Sequence, residues 1–354
     1  MLPGKSKDFM RNIEAVCPQE YKNWNGLLKR NDKSSFFHTS NWADVLQKSY
    51  GYRPIYFTIP GEDRLLNLLP VMEVESLLTG KRGVCLPFTD YCEPLAESSR
   101  QFRDLMNAAI VLGRQRKWKY LEIRGGGKFL SVEKPVQFFY GHNLDLSIGH
   151  RQIFSNLRDS TGRNINKARK ENISVTISTS MQSLKEFYRL NAMTRKEHGL
   201  PPQPYYFFER IYDCILSEDM GFIATAFTKN TPVAANIYFY SGDKVIYKYG
   251  ASDKAFQHLR ANNLLMWEAI KWSCDRGHKS LCFGRTEPEN EGLRQFKNGW
   301  GAREYIIKYY KYDFRENAFT SKPSSVNPLY KKIFKTLPIP VLKILGKILY
   351  RHMG

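Results

Sequence analysis

A stretch of this chain returns later in the sequence without a gap, and that repetition limits the architectures open to it. Met106-Asn107-Ala108-Ala109-Ile110 falls on Met266-Trp267-Glu268-Ala269-Ile270, and ten positions on, Arg116-Lys117-Trp118-Lys119-Tyr120-Leu121 falls on Arg276-Gly277-His278-Lys279-Ser280-Leu281. Each copy reads as a helix running into a short strand that ends beside an Arg and a Gly. Tyr56-Phe57-Thr58, ahead of a turn, likewise resembles Ala226-Phe227-Thr228. A duplicated supersecondary unit predicts two copies of one fold.

The segments around each copy support that reading. In the first half, Ser40 to Leu46 reads as a helix start capped by Ser40 or Asn41. Pro54 to Ile59 and Leu65 to Val74 read as strands joined by the turn Pro60-Gly61-Glu62-Asp63. Arg100 to Arg116 carries apolar residues at helical spacing, and Tyr120 to Ile123 is a strand. In the second half Phe208 to Leu216 is helical, and Phe222 to Phe227, Val233 to Tyr240 and Val245 to Tyr249 are strands. Asn263 to Cys274 is a helix, and Leu281 to Phe283 a strand. The predicted fold class is α+β: two tandem domains, each a mixed, mostly antiparallel sheet flanked by helices. The expected boundaries are 1–150, 151–320 and a tail, 321–354.

Composition narrows the partners. The chain's 354 residues, 42% hydrophobic and 14% aromatic, suffice for two cores. A net charge of +20, from 54 Lys+Arg against 34 Asp+Glu, favours an anionic partner: nucleic acid, phosphate-bearing substrate or acidic membrane surface. The six cysteines show no zinc spacing and read as core thiols in a reducing compartment. Met1 to Asp8 shows no secretory pattern, and no run of about 18 uncharged apolar residues predicts a spanning helix.

Chemistry concentrates in Gly284 to Ala302, where a strand stops at Gly284-Arg285 and a short helix, Glu291 to Lys297, leads to Trp300 between two glycines. Polar groups at the carboxyl edge of a sheet are common ligand contacts. Arg285 and Lys297 are candidates for an anionic group, with a solvated helix charge as the alternative for Lys297. Glu268 is a proton acceptor or a partner of Arg285 if it points inward, and an i,i+3 partner of Lys271 if outward. Glu291 is a base or a complement to a helix dipole. Trp300 is a lid or a stacking platform, and His198 and His258 read as surface residues.

The helix, meander, helix, strand order is similar to that of the Gcn5-related N-acetyltransferase (GNAT) fold, and its tandem form resembles the FemAB-like peptidyltransferases of cell-wall assembly. The residues that carry the likeness are Tyr247 to Ser252, Asn262 to Ile270, Phe283-Gly284-Arg285 and Phe296 to Ala302. Weaker echoes lie at Leu86-Pro87-Phe88, Glu122-Ile123-Arg124, Arg163 to Ala168 and Glu197 to Pro201. The nearest resemblance is to the branch found beside exopolysaccharide and exosortase genes.

This resemblance implies an acyltransferase that forms an amide on an amino group of a cell-envelope or exopolysaccharide precursor, with no permanently bound cofactor and no metal. The acyl donor is acyl-CoA or aminoacyl-tRNA. Substrate contacts are expected at Arg285, Lys297, Tyr249, Ser252, Asn262, Trp300, Arg124 and Arg163. Donor contacts are expected at Arg260, Ala261 and Asn262, where a helix N-terminus would receive phosphate or carbonyl. Glu268 and Glu291 are the catalytic candidates. The chain departs from the CoA-binding pattern at Gln257 to Asn262, where Arg260 replaces glycine. It also lacks the sustained heptads of the tRNA-dependent members between residues 151 and 230.

The carboxyl end forms its own pattern. From Lys322 onward there are seven basic residues and no acidic one, and Lys343, Lys347 and Arg351 recur beside Val341, Leu342, Ile344, Leu345, Ile348 and Leu349. Such a helix lies on an anionic membrane surface or docks on the protein itself. The location implied is cytoplasmic, or peripheral on the inner membrane face. Two rivals complete the reading: a Fem-type aminoacyl-tRNA-dependent transferase extending a peptidoglycan cross-bridge, and a non-catalytic basic nucleic-acid-binding protein on a GNAT scaffold.

Overall fold

The computed structural model describes residues 13–60, 65–322 and 329–354. The expected turn at Gly61 to Asp63, the linker from Pro323 to Pro328 and the amino-terminal Met1 to Asp8 lie outside them. The chain divides into two compact units. Unit 1 holds Met1–Phe139, Ile307–Ser324 and Arg351–Gly354, and unit 2 holds Tyr140–Ile306 and Ser325–Tyr350.

Unit 1 opens with β1 (Glu14–Val16), α1 (Trp24–Lys29) and α2 (Ser40–Tyr50). The cap of α2 is Thr39, whose hydroxyl accepts from the Trp42 N–H, rather than Ser40 or Asn41; helical geometry begins one residue earlier than the polar pair implied. Then come β2 (Arg53–Pro60), β3 (Leu65–Ser76), β4 (Gly80–Val84), α3 (Ser99–Gln115) and β5 (Tyr120–Arg124). The β1, β2, β3 and β4 ladders are antiparallel, and β4 runs parallel to β5. Phe102, Leu105 and Ala109 of α3 are buried, as their spacing requires.

Unit 2 follows with β6 (Gln137–Asp145), α4 (Gly149–Ser155), α5 (Asp159–Lys170), β7 (Ser174–Ser178), α6 (Met181–Glu197) and α7 (Tyr205–Ile211). The meander is β8 (Gly221–Thr228), β9 (Thr231–Ser241) and β10 (Lys244–Ser252), and a 3-10 turn, Lys254–Leu259, leads to α8 (Ala261–Asp275). β11 (Ser280–Thr286) and α9 (Glu291–Asn298) complete this run, and the chain re-enters unit 1 along β12 (Arg303–Asp313), followed there by β13 (Ala318–Thr320). The meander is antiparallel, β11 pairs antiparallel with β6, and β10 runs parallel to β11. Its core contains Tyr238, Leu265, Met266, Ile270, Phe283 and Trp300. The architecture is the predicted α+β tandem, with mixed, mostly antiparallel pairing and flanking helices.

The repeat read from the sequence has matching geometry. Helices α3 and α8 end on Arg116 (φ −87, ψ 1) and Arg276 (φ −88, ψ 4). The next residues, Lys117 (φ 58) and Gly277 (φ 78), both turn left-handed. The amides of Trp118 and His278 then close the turns on the carbonyls of Gly113 (2.8 Å) and Ser273 (3.0 Å).

The units differ from the expected boundaries at both ends. The segment after Ile307 belongs to unit 1 because β12 pairs with β5 from Tyr309↔Arg124 to Asp313↔Tyr120. The tail is two helices, α10 (Leu329–Thr336) and α11 (Ile339–Leu349). It docks on unit 2: Leu342 is buried, the Tyr350 hydroxyl donates to Pro201 O (3.1 Å), and Arg195 donates to that hydroxyl (2.7 Å). Glycine at 346 allows the approach, since a Cβ there would meet the Pro202 carbonyl. Among the described residues no helix is long and apolar enough to cross a membrane, and no His, Cys, Asp and Glu cluster could hold a metal. All six cysteines are free thiols.

Candidate active site

The site is built where two parallel strands part. β10 and β11 share a ladder from Lys244↔Ser280 to Ile246↔Cys282, after which β10 stays with β9 to Ser252 and β11 with β6 to Thr286. A bulge between Tyr247 and Tyr249 then shifts the alternation of side chains along β10. Tyr247 and Gly250 share a face: a Cβ on Gly250 would collide with the Tyr247 hydroxyl, so glycine lets the phenol lie along the strand. The Tyr247 ring packs on Tyr238 and Phe283, and burial pushes its hydroxyl up to about 12. It is therefore a neutral donor across the physiological range.

Two residues beyond Gly250, Ser252 lines a cavity of about 540 Å³. One wall is the N-terminus of α8, with Ala261, Asn262 and Asn263. The cap residue of that helix, Arg260, is left-handed (φ 58) and makes no side-chain cap hydrogen bond. A helix start of this kind presents amide donors and partial positive charge to an anion. Arg158 and Arg260 add two guanidinium groups, and α5 contributes Ser160, Thr161 and Asn164. Gly292, Gln295 and Phe296 of α9 form the far wall. Close seating of α5 depends on Gly299, where a Cβ would meet the Thr161 hydroxyl, and on the Arg158 N–H donating to Gly299 O (3.1 Å). Asp253 is the acidic residue of the lining, and its carboxylate accepts from the Ala255 N–H (3.0 Å).

Of the residues singled out from sequence, Ser252, Arg260, Ala261 and Asn262 come together here. The others lie elsewhere. Lys297 is 2% exposed, and its ammonium donates to the carbonyls of Gly284 (3.3 Å) and Arg285 (3.0 Å), so it ties α9 to the end of β11 instead of meeting a ligand. Glu268 is outward, 2.9 Å from Lys271 Nζ and 3.8 Å from Arg169, and it is not paired with Arg285. Arg285 faces Glu287 at 3.9 Å. Glu291 is exposed in the first turn of α9, a helix-dipole position rather than a base in the cavity. Trp300 is fully buried against Phe296, as part of the core.

Tyr249 faces the opposite side of β10 from Ser252 and the cavity, as plain alternation after the bulge requires, and is ringed by Phe187, Phe207, Phe208 and Phe239. Arg163 is exposed on α5, and its neighbour Asn164 reaches the cavity instead. Arg124 lies in unit 1, bonded to Glu122 (2.7 Å) and to the carbonyls of Leu86 and Thr89. Burial works against its charge, and Glu122 and Tyr309 outweigh it and raise its pKa.

Sequence reasoning did not single out Arg158, Ser160, Thr161 and Asn164 as lining residues. These four arrive by packing of a segment distant in sequence from β10 and α8. Beside the cavity, α9 is fixed by Arg294, which grips Glu304 at 2.7 and 2.6 Å, and by His142 at 3.1 Å from the same carboxylate. Arg294 holds Glu304 down to about 2. Burial, then the Lys297 charge, lowers the pKa of His142.

Residues 155–305 match the family model described as an acetyltransferase (GNAT) domain. No curated protein matches the chain. Among solved structures, FemX is 14% identical with a TM-score of 0.67, covering 91% of this chain and 99% of that one. A tandem GNAT protein from the clavulanic acid biosynthesis pathway is 9% identical (TM-score 0.55; 85% and 98% covered). L-PGS from Bacillus licheniformis is 12% identical (TM-score 0.54; 94% and 98% covered).

Proposed function

From a FemAB-like tandem GNAT fold with an acetyltransferase domain in its second unit, we propose that this chain is an acyltransferase forming an amide on an amino group of a cell-envelope or exopolysaccharide precursor. The observation that carries the reading is the cavity of about 540 Å³ at the uncapped N-terminus of α8, opened by the parting of β10 and β11. Donor phosphates lie against Ala261, Asn262 and Asn263, neutralised by Arg260 and Arg158. The acyl carbonyl points toward Tyr247.

The acceptor amine attacks that carbonyl, forming the C–N bond. Asp253 takes the amine proton, and the bond to the donor's leaving group breaks as the tetrahedral intermediate collapses. The Tyr247 phenol stabilises the developing negative charge by donating a hydrogen bond. The acetyltransferase domain makes acyl-CoA the first donor to test. A second reading is transfer from aminoacyl-tRNA to a lipid-linked muropeptide. Arg260, in place of a glycine that would bring backbone to a pyrophosphate, supports the same reading. Attachment to the inner membrane face through the tail belongs to either one.

The test is amine-dependent turnover by the purified protein, read by mass spectrometry with CoA thioesters and with charged tRNA. Amide product from a thioester supports the first donor. Product that needs charged tRNA and vanishes with ribonuclease supports the second. Binding of nucleic acid with no product from either leaves the scaffold non-catalytic.

A further inference from the structure

We propose that the groove between α11 and helices α6 and α7 is a docking site for anionic phospholipid at a bilayer surface. The groove has a volume of about 680 Å³. Its charge comes from Lys185 and Arg189 on α6 and Lys343 and Lys347 on α11. Tyr188, Pro204, Tyr205 and Ile344 add apolar lining. Glu186 sits 3.2 Å from Arg189, which also donates to Pro232 O, so the lysines carry most of the local field. Lys343 lies 5.0 Å over the Tyr188 ring, which steers its ammonium toward the groove.

The exposed side of α11 matches this occupant. Leu342, Gly346 and Tyr350 face the protein, whereas Val341, Ile344 and Ile348 are 40%, 62% and 53% exposed. At helical spacing these three form one stripe, and Lys343 and Lys347 form the next. α10 continues the pattern, with Tyr330 and Ile333 exposed beside Lys331, Lys332 and Lys335. Aliphatic groups left in water beside an unbroken set of cations fit an interface that is anionic at its surface and apolar just beneath. A nucleic acid would use the lysines and gain nothing from the isoleucines. The docking of Leu342 and Tyr350 fixes this face in advance, so little ordering is needed on binding. The proposal draws on the transferase reading only in placing the acceptor at the envelope.

The experiment is co-sedimentation of the full chain with phosphatidylcholine vesicles, with and without phosphatidylglycerol. The expected result is binding that requires phosphatidylglycerol and weakens with salt. Lys343→Gln/Lys347→Gln weakens it about 30-fold, at ~1 kcal/mol per cation. Ile344→Ser/Ile348→Ser weakens it at unchanged charge, with an unchanged melting midpoint showing that the fold is kept. Equal binding to both vesicles, binding to neither, or RNA binding indifferent to the isoleucine variant would overturn the proposal. Transfer to a water-soluble amine stays at the wild-type rate in both variants, so a missing transferase activity counts against the proposed function and not against the lipid site.

Discussion

Helices α3 and α8 are two versions of one element, alike at the carboxyl end and different at the amino end. Both finish on an Arg, pass through a left-handed residue and enter a strand with a parallel neighbour. At the start, α3 is closed by its own chain: the Ser98 hydroxyl accepts from the Gln101 N–H. α8 begins on Arg260 with no such cap, against a cavity. In the first copy a side chain caps one free amide, and in the second no side chain does, the Asn263 N–H turning back to the Arg260 carbonyl (3.0 Å). The carboxyl ends share geometry because both must deliver a strand to the same place in a sheet. Freed from that requirement, the amino ends differ.

That contrast can be broken from either copy. The largest effect is expected at the second: Tyr247→Phe should lower kcat by about 100-fold while donor affinity holds, measured by steady-state turnover beside calorimetry. In the wild type the phenol keeps its proton up to about 12, so no rate loss below pH 9 belongs to it. Arg260→Ala should weaken donor binding roughly tenfold, the value of one charge-assisted contact.

Acid should then loosen unit 2 through Glu304. Its folded pKa of about 2 lies below the ordinary 4.5, so its stabilising contribution is whole above 4.5 and is lost as pH falls toward 2. Melting midpoints should drop across that window in the wild type, and Glu304→Gln should lack that component.

Ser98→Ala should cost about 1 kcal/mol of stability in chemical denaturation and leave donor affinity untouched, the counterpart of Arg260→Ala. Smallest is Lys117→Gly, which copies the second repeat into the first and should stabilise by about 0.5 kcal/mol as left-handed strain is relieved.

The repeat and the meander were legible because they are local: helical spacing in α3, alternation in β9 and glycines at turns all lie in neighbouring residues. The loop from Gln257 to Asn262 was legible as a helix start for the same reason. Lys297 was not, because a lysine can be buried once two carbonyls take its ammonium, and no spacing announces those carbonyls. Tyr249 was named from the resemblance, and the separation of the two tyrosines was not legible because i and i+2 share a face in a regular strand, whereas the bulge leaves Tyr247 with Gly250. Arg158 and Asn164 depend on α5 reaching Gly299, a contact between distant residues. β12 was missed because charges interrupt its apolar residues, and its place beside β5 is set by pairing.

The most direct measurement is calorimetric binding of a CoA thioester and of charged tRNA to the wild type, Arg260→Ala and Ser98→Ala. The expected result is that one donor binds, that its affinity falls about tenfold in Arg260→Ala, and that Ser98→Ala binds like the wild type. A donor bound equally by all three proteins, or weakened by the change at Ser98 and not at Arg260, would contradict the assignment of the open end of α8 as the donor site.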